Sequence, residues 1–415
     1  MRSRLRLLFG ISVFWLALSM LFDGLNTLVL PAQLAIYTDE AHQATALGLT
    51  AFVGILLGML VQPVAGVFSD RLRAKWGRRG VIASGMLLML ASLAAFGISQ
   101  TLLAVILSYL FIQASASVAQ AAQQGFIPDL VPAESRGKAA GFKGFMDLGG
   151  ALLAFALLGQ FLSEGRTDLA LLAIAAVIVV TFGLTVLLVR EHPATVTAPT
   201  HAVTLADAFR LDLREHRAFA WVVLSRFLFL LGTYMVGRFL LYFVADWLGL
   251  DPPLAAEQAG NLLFSLTLVT ALGALAAGWA ADRFGRMPLM LLGAALSAIG
   301  VLLLMIAGSE LQILLFGGLM ALGSAAFAGA NWALTADLIP PAESARFMAL
   351  ANFGTAGAAA AAGLLGPLVD WANGITPGAG YAALFIFAAL AFAGSALALR
   401  GMVTQPVMAA SQRAE

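Results

Sequence analysis

Cysteine is missing from all 415 residues, which excludes disulfides and thiolate-ligated metal centres. Histidine is nearly missing as well. The four present are scattered and form no His-Glu metal motif. Charged residues make up only 11% of the chain, and no Asp, Glu, Lys or Arg occurs from Gly80 to Pro128. Phosphate-cradling glycine loops and nucleophile elbows are absent, so a cofactor-dependent or hydrolytic enzyme has no site to build on. The net charge of +1 hides a strong asymmetry, so the total says nothing about nucleic acid, which is not expected as a partner.

What fills the chain is apolar: 61% of residues are hydrophobic and mean hydropathy is +0.93. A soluble domain of this length cannot hide so much apolar surface. Continuous runs of ~20 residues match helices that cross ~30 Å of hydrocarbon, and they exclude the ~10-residue alternation of a membrane β-barrel. The start, with Arg2, Arg4 and Arg6 before an apolar stretch, has the form of a secretory leader. That stretch runs on to Ala35 without a small-residue cleavage site, so it is read as the first span. Charge-poor windows predict twelve helices near 8–35, 44–69, 80–98, 101–126, 137–162, 168–190, 217–246, 255–280, 287–308, 311–335, 345–370 and 378–400. The expected fold is an all-α membrane protein.

The placement of charge gives the orientation. With both termini cytoplasmic, nineteen Lys and Arg fall on the inner side and only Arg166 on the outer, leaving Lys143, Arg226 and Arg238 inside spans. The expectation is a multi-pass protein of the cell inner or plasma membrane, with the lipid bilayer as its constant partner. Residues 191–216 form the one long polar connection. They divide the chain into a six-helix unit at 1–190, a cytoplasmic linker at 191–216, a second six-helix unit at 217–400 and a cytoplasmic tail at 401–415. Leu205, Ala208, Phe209 and Leu213 give the linker one apolar face suited to lying on the inner leaflet.

Two elements repeat. Gly66-x3-Asp70-Arg71, followed by Arg78 and Arg79, returns 212 positions later as Gly278-x3-Asp282-Arg283, followed by Arg286. Asp129-Leu-Val-Pro132 with Ser135 and Arg136 returns as Asp337-Leu-Ile-Pro340 with Ser344 and Arg346. Both copies of the second element precede a helix, where Ser135 and Ser344 are candidate N-caps. The halves are therefore duplicates.

This doubled loop signature resembles that of the major facilitator superfamily of secondary transporters, and the resemblance extends over almost the whole chain. It implies two pseudo-symmetric six-helix bundles that rock about a midplane site and work as a monomer without cofactor or metal. It also implies that Gly66, Asp70, Arg71, Arg78, Arg79, Gly278, Asp282, Arg283 and Arg286 form a conformational gate, each Asp resting against a helix N-terminus of the other half. Small residues that let helices slide recur as Gly54-x3-Gly58, as Gly141, Gly144, Gly149 and Gly150, as Gly273 and Gly278, and from Gly354 through Gly357 to Gly363. In the family, span 2 meets span 11 and span 5 meets span 8. The Trp76-Gly77-Arg78-Arg79 ending resembles the glycoside and cation symporter branch, including its sucrose-type carriers. Sodium symporters of the melibiose type carry an acid before the proline that is here Pro63. This chain has Gln62 there, which turns the expectation from sodium toward protons.

Ionisable side chains at membrane depth cost about 2.5–3.5 kcal/mol on insertion scales, so each needs a partner or a cavity. Asp23, Lys143, Asp147, Arg226 and Arg238 stand there. Lys143 and Asp147, four residues apart, either neutralise each other or, with Asp23, carry a coupling proton. Arg238, nearer the outer interface, is expected to snorkel to water. Asp23, Asn26, Gln113, Gln120, Gln123, Arg226, Tyr234, Asn331 and Trp332 are candidate substrate contacts, with interhelical hydrogen bonding the competing role for the amides.

The reading is a secondary carrier for a small solute, proton-coupled, with a sugar or other polar metabolite as cargo. Proton-driven efflux of a drug or metabolite is the rival within the class, and a lipid scramblase or membrane enzyme the rival outside it.

Overall fold

The computed structural model describes residues 2–132, 135–189, 216–338 and 344–403. The linker before His216 and the tail from 404 onward lie outside the described residues, and so does the side chain of Ser344. Among the described residues, twelve helices are long and apolar enough to cross a membrane. In order these spans are Leu5–Tyr37, Glu40–Leu72, Lys75–Gly97, Leu102–Gln124, Arg136–Ser163, Thr167–Leu188, Arg217–Leu248, Pro252–Ala281, Arg286–Ile306, Glu310–Thr335, Leu350–Ile375 and Ala379–Met402. Among the described residues every regular element is helical. An even number of crossings puts both chain ends on one face, called here the termini face, and its opposite the far face.

Glycine sets the tight turns on the termini face. Spans 2 and 3 run together except at Gly77, whose φ of 65° and ψ of 175° break the helix. Gly285, between spans 8 and 9, repeats the device at φ 89° and ψ 154°. A side chain at either position would strain the backbone.

The duplication is visible in packing. Spans 3 and 4 touch where a Cβ on Gly85 would lie 2.7 Å from the Ala119 nitrogen. Spans 9 and 10 touch where a Cβ on Gly293 would lie 2.9 Å from the Phe327 nitrogen. Both members are displaced by the same 208 positions (293 less 85, 327 less 119). Phe327 also stacks on Phe229 of span 7, ring centroids 3.8 Å apart, and Phe392 of span 12 leans on the same ring at 5.0 Å. The opposite surface of the helices carries exposed Leu87, Phe111, Val180, Leu187, Leu315 and Leu390, an apolar coat that faces lipid.

Between the halves, span 2 packs on span 11 and span 5 on span 8. The contact is closed at the far face. Gly48 and Gly363 meet backbone to backbone, and Gly366 lies against Ala44 in the same way. Gly159 and Gly260 approach until a Cβ on either would sit 3.0 Å from the other's Cα. Asp370 of span 11 accepts hydrogen bonds from the Ala44 and Thr45 backbone nitrogens at 3.1 and 2.6 Å, so it caps the N-terminus of span 2. Tyr242 of span 7 donates to the Pro31 carbonyl of span 1 at 2.9 Å.

At the termini face the same helices part. Among the described residues, a Cβ on Gly66, Gly137, Gly141, Gly144 or Gly278 would meet nothing within 4 Å. Of the glycines flagged by pattern, Gly363 lies at the far-face contact, whereas Gly54 and Gly58 face Tyr109 and Ser117 inside their own half, and Gly150 faces Leu16. Ser135 does not cap span 5, because its backbone is at φ −107° and ψ −3° rather than in the extended region from which a hydroxyl reaches back.

Candidate functional site

Span 1 is not a uniform helix. Leu25–Val29 is a π segment, placed where Pro31, which has no N–H, leaves the Thr27 carbonyl without its helical donor. Asn26 lies in this wide turn and Asp23 just before it. The Asn26 Oδ1 accepts from the Tyr109 hydroxyl at 2.8 Å and from Gln113 Nε2 at 3.4 Å, and Gln113 Nε2 also reaches the Tyr109 oxygen at 2.7 Å. These three form one polar cluster from spans 1 and 4.

One turn closer to the termini face, Ser19 Oγ lies 2.7 Å from Asp23 Oδ2 and 2.6 Å from the Asp147 carbonyl. Asp147 Oδ2 in turn binds Lys143 Nζ at 2.6 Å. That ammonium sits 3.9 Å above the Trp15 ring. Asp23, Asp147 and Lys143 are thus one connected group rather than three isolated charges.

The second half supplies cations. Arg226 Nε donates to Thr355 Oγ1 and Nη1 to Asn331 Oδ1, both at 2.9 Å, and its guanidinium stacks 4.1 Å above the Trp332 ring. Arg238 is buried at 6% exposure instead of reaching to water. Its Nη2 donates to the Ala359 carbonyl at 3.1 Å. Tyr234 is half-buried on the same span as both arginines.

Gln123 is fully buried and spends its amide N–H on the Ile11 carbonyl at 2.7 Å, an interhelical tie. Gln120 is half-buried on the same span. The turn after span 2 is a network within its own half: Arg78 binds Asp70 at 2.7 Å, Asp129 at 2.9 Å and Ser69 at 3.0 Å. Gly125 makes room for it, since a Cβ there would fall 2.5 Å from the guanidinium carbon. Arg79 holds the end of span 6 through the Val186 and Val189 carbonyls. Arg71 is exposed. Arg286 donates to the Ala333 carbonyl at 2.9 Å, and Arg283 lies over Trp279 at 5.4 Å. The side chain of Asp282 is outside the described residues.

Pattern reading passed over Ser19, Tyr109 and Thr355. The first two stand four residues before Asp23 and Gln113, a spacing that shares a helix face and could have flagged them. Thr355 had no such marker.

Two helix bundles packed through matched span pairs, with polar side chains facing each other between them, define a secondary transporter. Residues 9–404 match the MFS/sugar transport protein family, and the chain belongs to it. No curated protein matches the chain. Among solved structures, it is similar to an inward-facing bacterial homologue of the human lysosomal transporter Spinster, at TM-score 0.72 and 16% identity, covering 98% of this chain and 99% of that one. The nucleoside transporter NupG gives TM-score 0.74 at 15% identity over 96% and 100%. The xylose transporter XylE from E. coli gives 0.65 at 16% over 97% of each. At these identities the likeness is one of fold.

Proposed function

We propose that this protein carries a small polar solute by alternating access, in step with a proton. The observation that carries this reading is a buried polar group in each half, Asp23, Asp147 and Lys143 joined through Ser19 in the first and Arg226 with Asn331 and Thr355 in the second, in halves that touch at the far face and, among the described residues, part at the termini face. The nineteen-to-one distribution of Lys and Arg favours a cytoplasmic termini face. The parted side then opens inward, and the clasp around Asp70 and Arg78 is the half-gate that rearranges when it shuts.

Proton bookkeeping at Ser19 supports coupling. A carbonyl only accepts, so the Ser19 hydrogen belongs to the Asp147 carbonyl. Its oxygen then faces Asp23 Oδ2 at 2.7 Å without a hydrogen to share, a contact that is favourable when Asp23 carries the proton. Movement of Asp147 or its ammonium partner would return the serine hydrogen to Asp23 and let the proton leave. Asp70, Asp282 and the arginines beside them serve as the gate, and Asn26, Gln113, Arg226, Tyr234, Asn331 and Trp332 as substrate contacts.

Two guanidinium groups in the wall disfavour lipophilic cations, which weakens the drug-efflux alternative. A sugar or other hydroxylated metabolite suits the amides, the tyrosines and the Trp332 face, in keeping with the family's sugar carriers. The test is uptake into proteoliposomes under an imposed pH gradient, with a panel of sugars, nucleosides and organic acids. An acid exterior is expected to drive accumulation of at least one solute, and an uncoupler to abolish it. Accumulation indifferent to both removes the proton from the cycle.

A further inference from the structure

The two halves are duplicates in fold but not in charge. Positions 147 and 355 are related by the same 208 residues as Gly85 and Gly293, and so are positions 123 and 331. Where the first half sets the carboxylate of Asp147 against Lys143, the second sets the hydroxyl of Thr355 against Arg226. Where Gln123 ties two helices through a carbonyl, Asn331 turns its oxygen to the guanidinium and leaves its own buried Nδ2 without a partner. The second half therefore holds a cation in a neutral cradle.

Arg226 is 7% exposed, and among the described residues no ion pair includes it. A cation this far from water is costly unless an anion or a cavity compensates the lost hydration. Thr355 takes Nε, Asn331 takes Nη1 and the Trp332 ring covers one face, so spans 10 and 11 fix the group that span 7 supplies. Only Nη2 remains. It has no hydrogen-bond partner among the described residues and, unlike Nε and Nη1 of Arg238, it is not shielded from water. It carries two N–H groups and shares a charge that no side chain neutralises. Arg226 stands nine residues into span 7 (226 less 217), and the open Gly144 eight residues into span 5 (144 less 136), a depth at which the halves are apart. Trp332, beside the guanidinium, is 40% exposed.

We propose that Nη2 of Arg226 anchors an oxyanion of the transported solute, a carboxylate or a phosphate, beside the exposed part of the Trp332 ring. This rests on the carrier reading and narrows its cargo from polar solutes at large to acidic ones. Thr355 and Asn331 are positioning residues: they aim the guanidinium and, being uncharged, leave its attraction for an anion undiminished. A carboxylate at position 355, as the first half has at 147, would neutralise the anchor from within.

The experiment is thermal stabilisation of the purified full chain by matched pairs: glucuronate with glucuronamide, glucose 6-phosphate with glucose, and benzoate with benzamide. On the wild type at least one acid is expected to bind tighter than its neutral partner by roughly tenfold or more. Arg226→Gln is expected to lose that preference, and Arg226→Lys, which keeps the charge without the planar group, to retain part of it. Thr355→Asp keeps the arginine and supplies an internal anion, so it is expected to cancel the preference while melting no lower than the wild type without ligand. Silence from every acid, neutral partners that bind equally well, an acid preference that survives Arg226→Gln or Thr355→Asp, or a Thr355→Asp protein that melts below the wild type would each overturn the anchor. The carboxylate and phosphate pairs separate the two chemistries. Counterflow in proteoliposomes tests the parent reading alone: a bound acid that is not exchanged ends the carrier and leaves the anchor standing, whereas exchange of a neutral solute with no acid preference does the reverse.

Discussion

At the scale of single residues, the chemistry is concentrated in groups that share partners. Ser19 links Asp23 to Asp147, and Asp147 holds Lys143, so a change at one is felt by the others. Asp23→Asn keeps the shape of that contact and removes the exchangeable proton. The expected outcome is counterflow preserved within a few-fold while pH-driven accumulation falls to the passive level. The paired assays in one vesicle preparation check it, and loss of both would make Asp23 a substrate contact instead. Asn331→Ala takes one acceptor from Arg226, a bond to a charged group worth about 1.5–3 kcal/mol. The apparent affinity for transported solute is expected to weaken by about one order of magnitude with little change in melting temperature, read by isothermal titration and thermal scanning. Much at this scale was legible in the sequence, because an acid or an arginine inside a 20-residue apolar run has few reasons to be there. Gln123 was legible only as a choice between a cavity group and an interhelical tie, and the closeness of span 1 decides for the tie, since its amide is spent on the Ile11 carbonyl.

At the scale of helices, the far-face closure depends on backbone contact and one carboxylate. Gly48 lies against the Gly363 carbonyl with no room for a side chain. Gly48→Val is expected to prop the far face open and abolish transport, at a packing cost of about 1–3 kcal/mol in the closed form. Asp370 holds span 2 by its unpaired N-terminal amides, where a negative charge gains both hydrogen bonds and the favourable end of the helix dipole. Asp370→Asn keeps one acceptor and loses the charge, so the population should move toward the far-face-open form by a factor of about ten, or ~1.4 kcal/mol. The lack of native cysteine makes spin labelling clean. Labels at Glu164→Cys and Asp251→Cys, exposed beside the ends of spans 5 and 8, should report the longer distance in this variant. An unchanged distance distribution would show that the carboxylate is a passive cap. The family resemblance foresaw which spans meet, and pattern reading flagged Gly363 at the contact but not its partner Gly48, since Gly54 and Gly58 are as small as Gly48 and differ only in which neighbour they face.

For the whole molecule, closure at one face and separation at the other are two readings of one rigid-body arrangement. Labels at Arg71→Cys and Arg283→Cys, both exposed on the termini face, should approach each other in the same fraction of molecules in which the far-face pair separates. A solute that stabilises one form should shift both distributions together; independent shifts would rule out rocking of two units. The sequence by itself determined the solvent, the number of crossings and the duplication. Continuous apolarity, sparse charge and a motif recurring 212 positions apart are properties of the chain that no packing can alter. The Lys143–Asp147 pair could be read from a spacing of four, but tertiary structure alone decided how the arginines are matched. Arg226 finds Asn331 and Thr355, and Arg238 only the Ala359 carbonyl, because these atoms are brought together from positions more than a hundred residues apart. Hydrogen bonds reach about 3 Å, and no spacing along a chain encodes that distance between different helices.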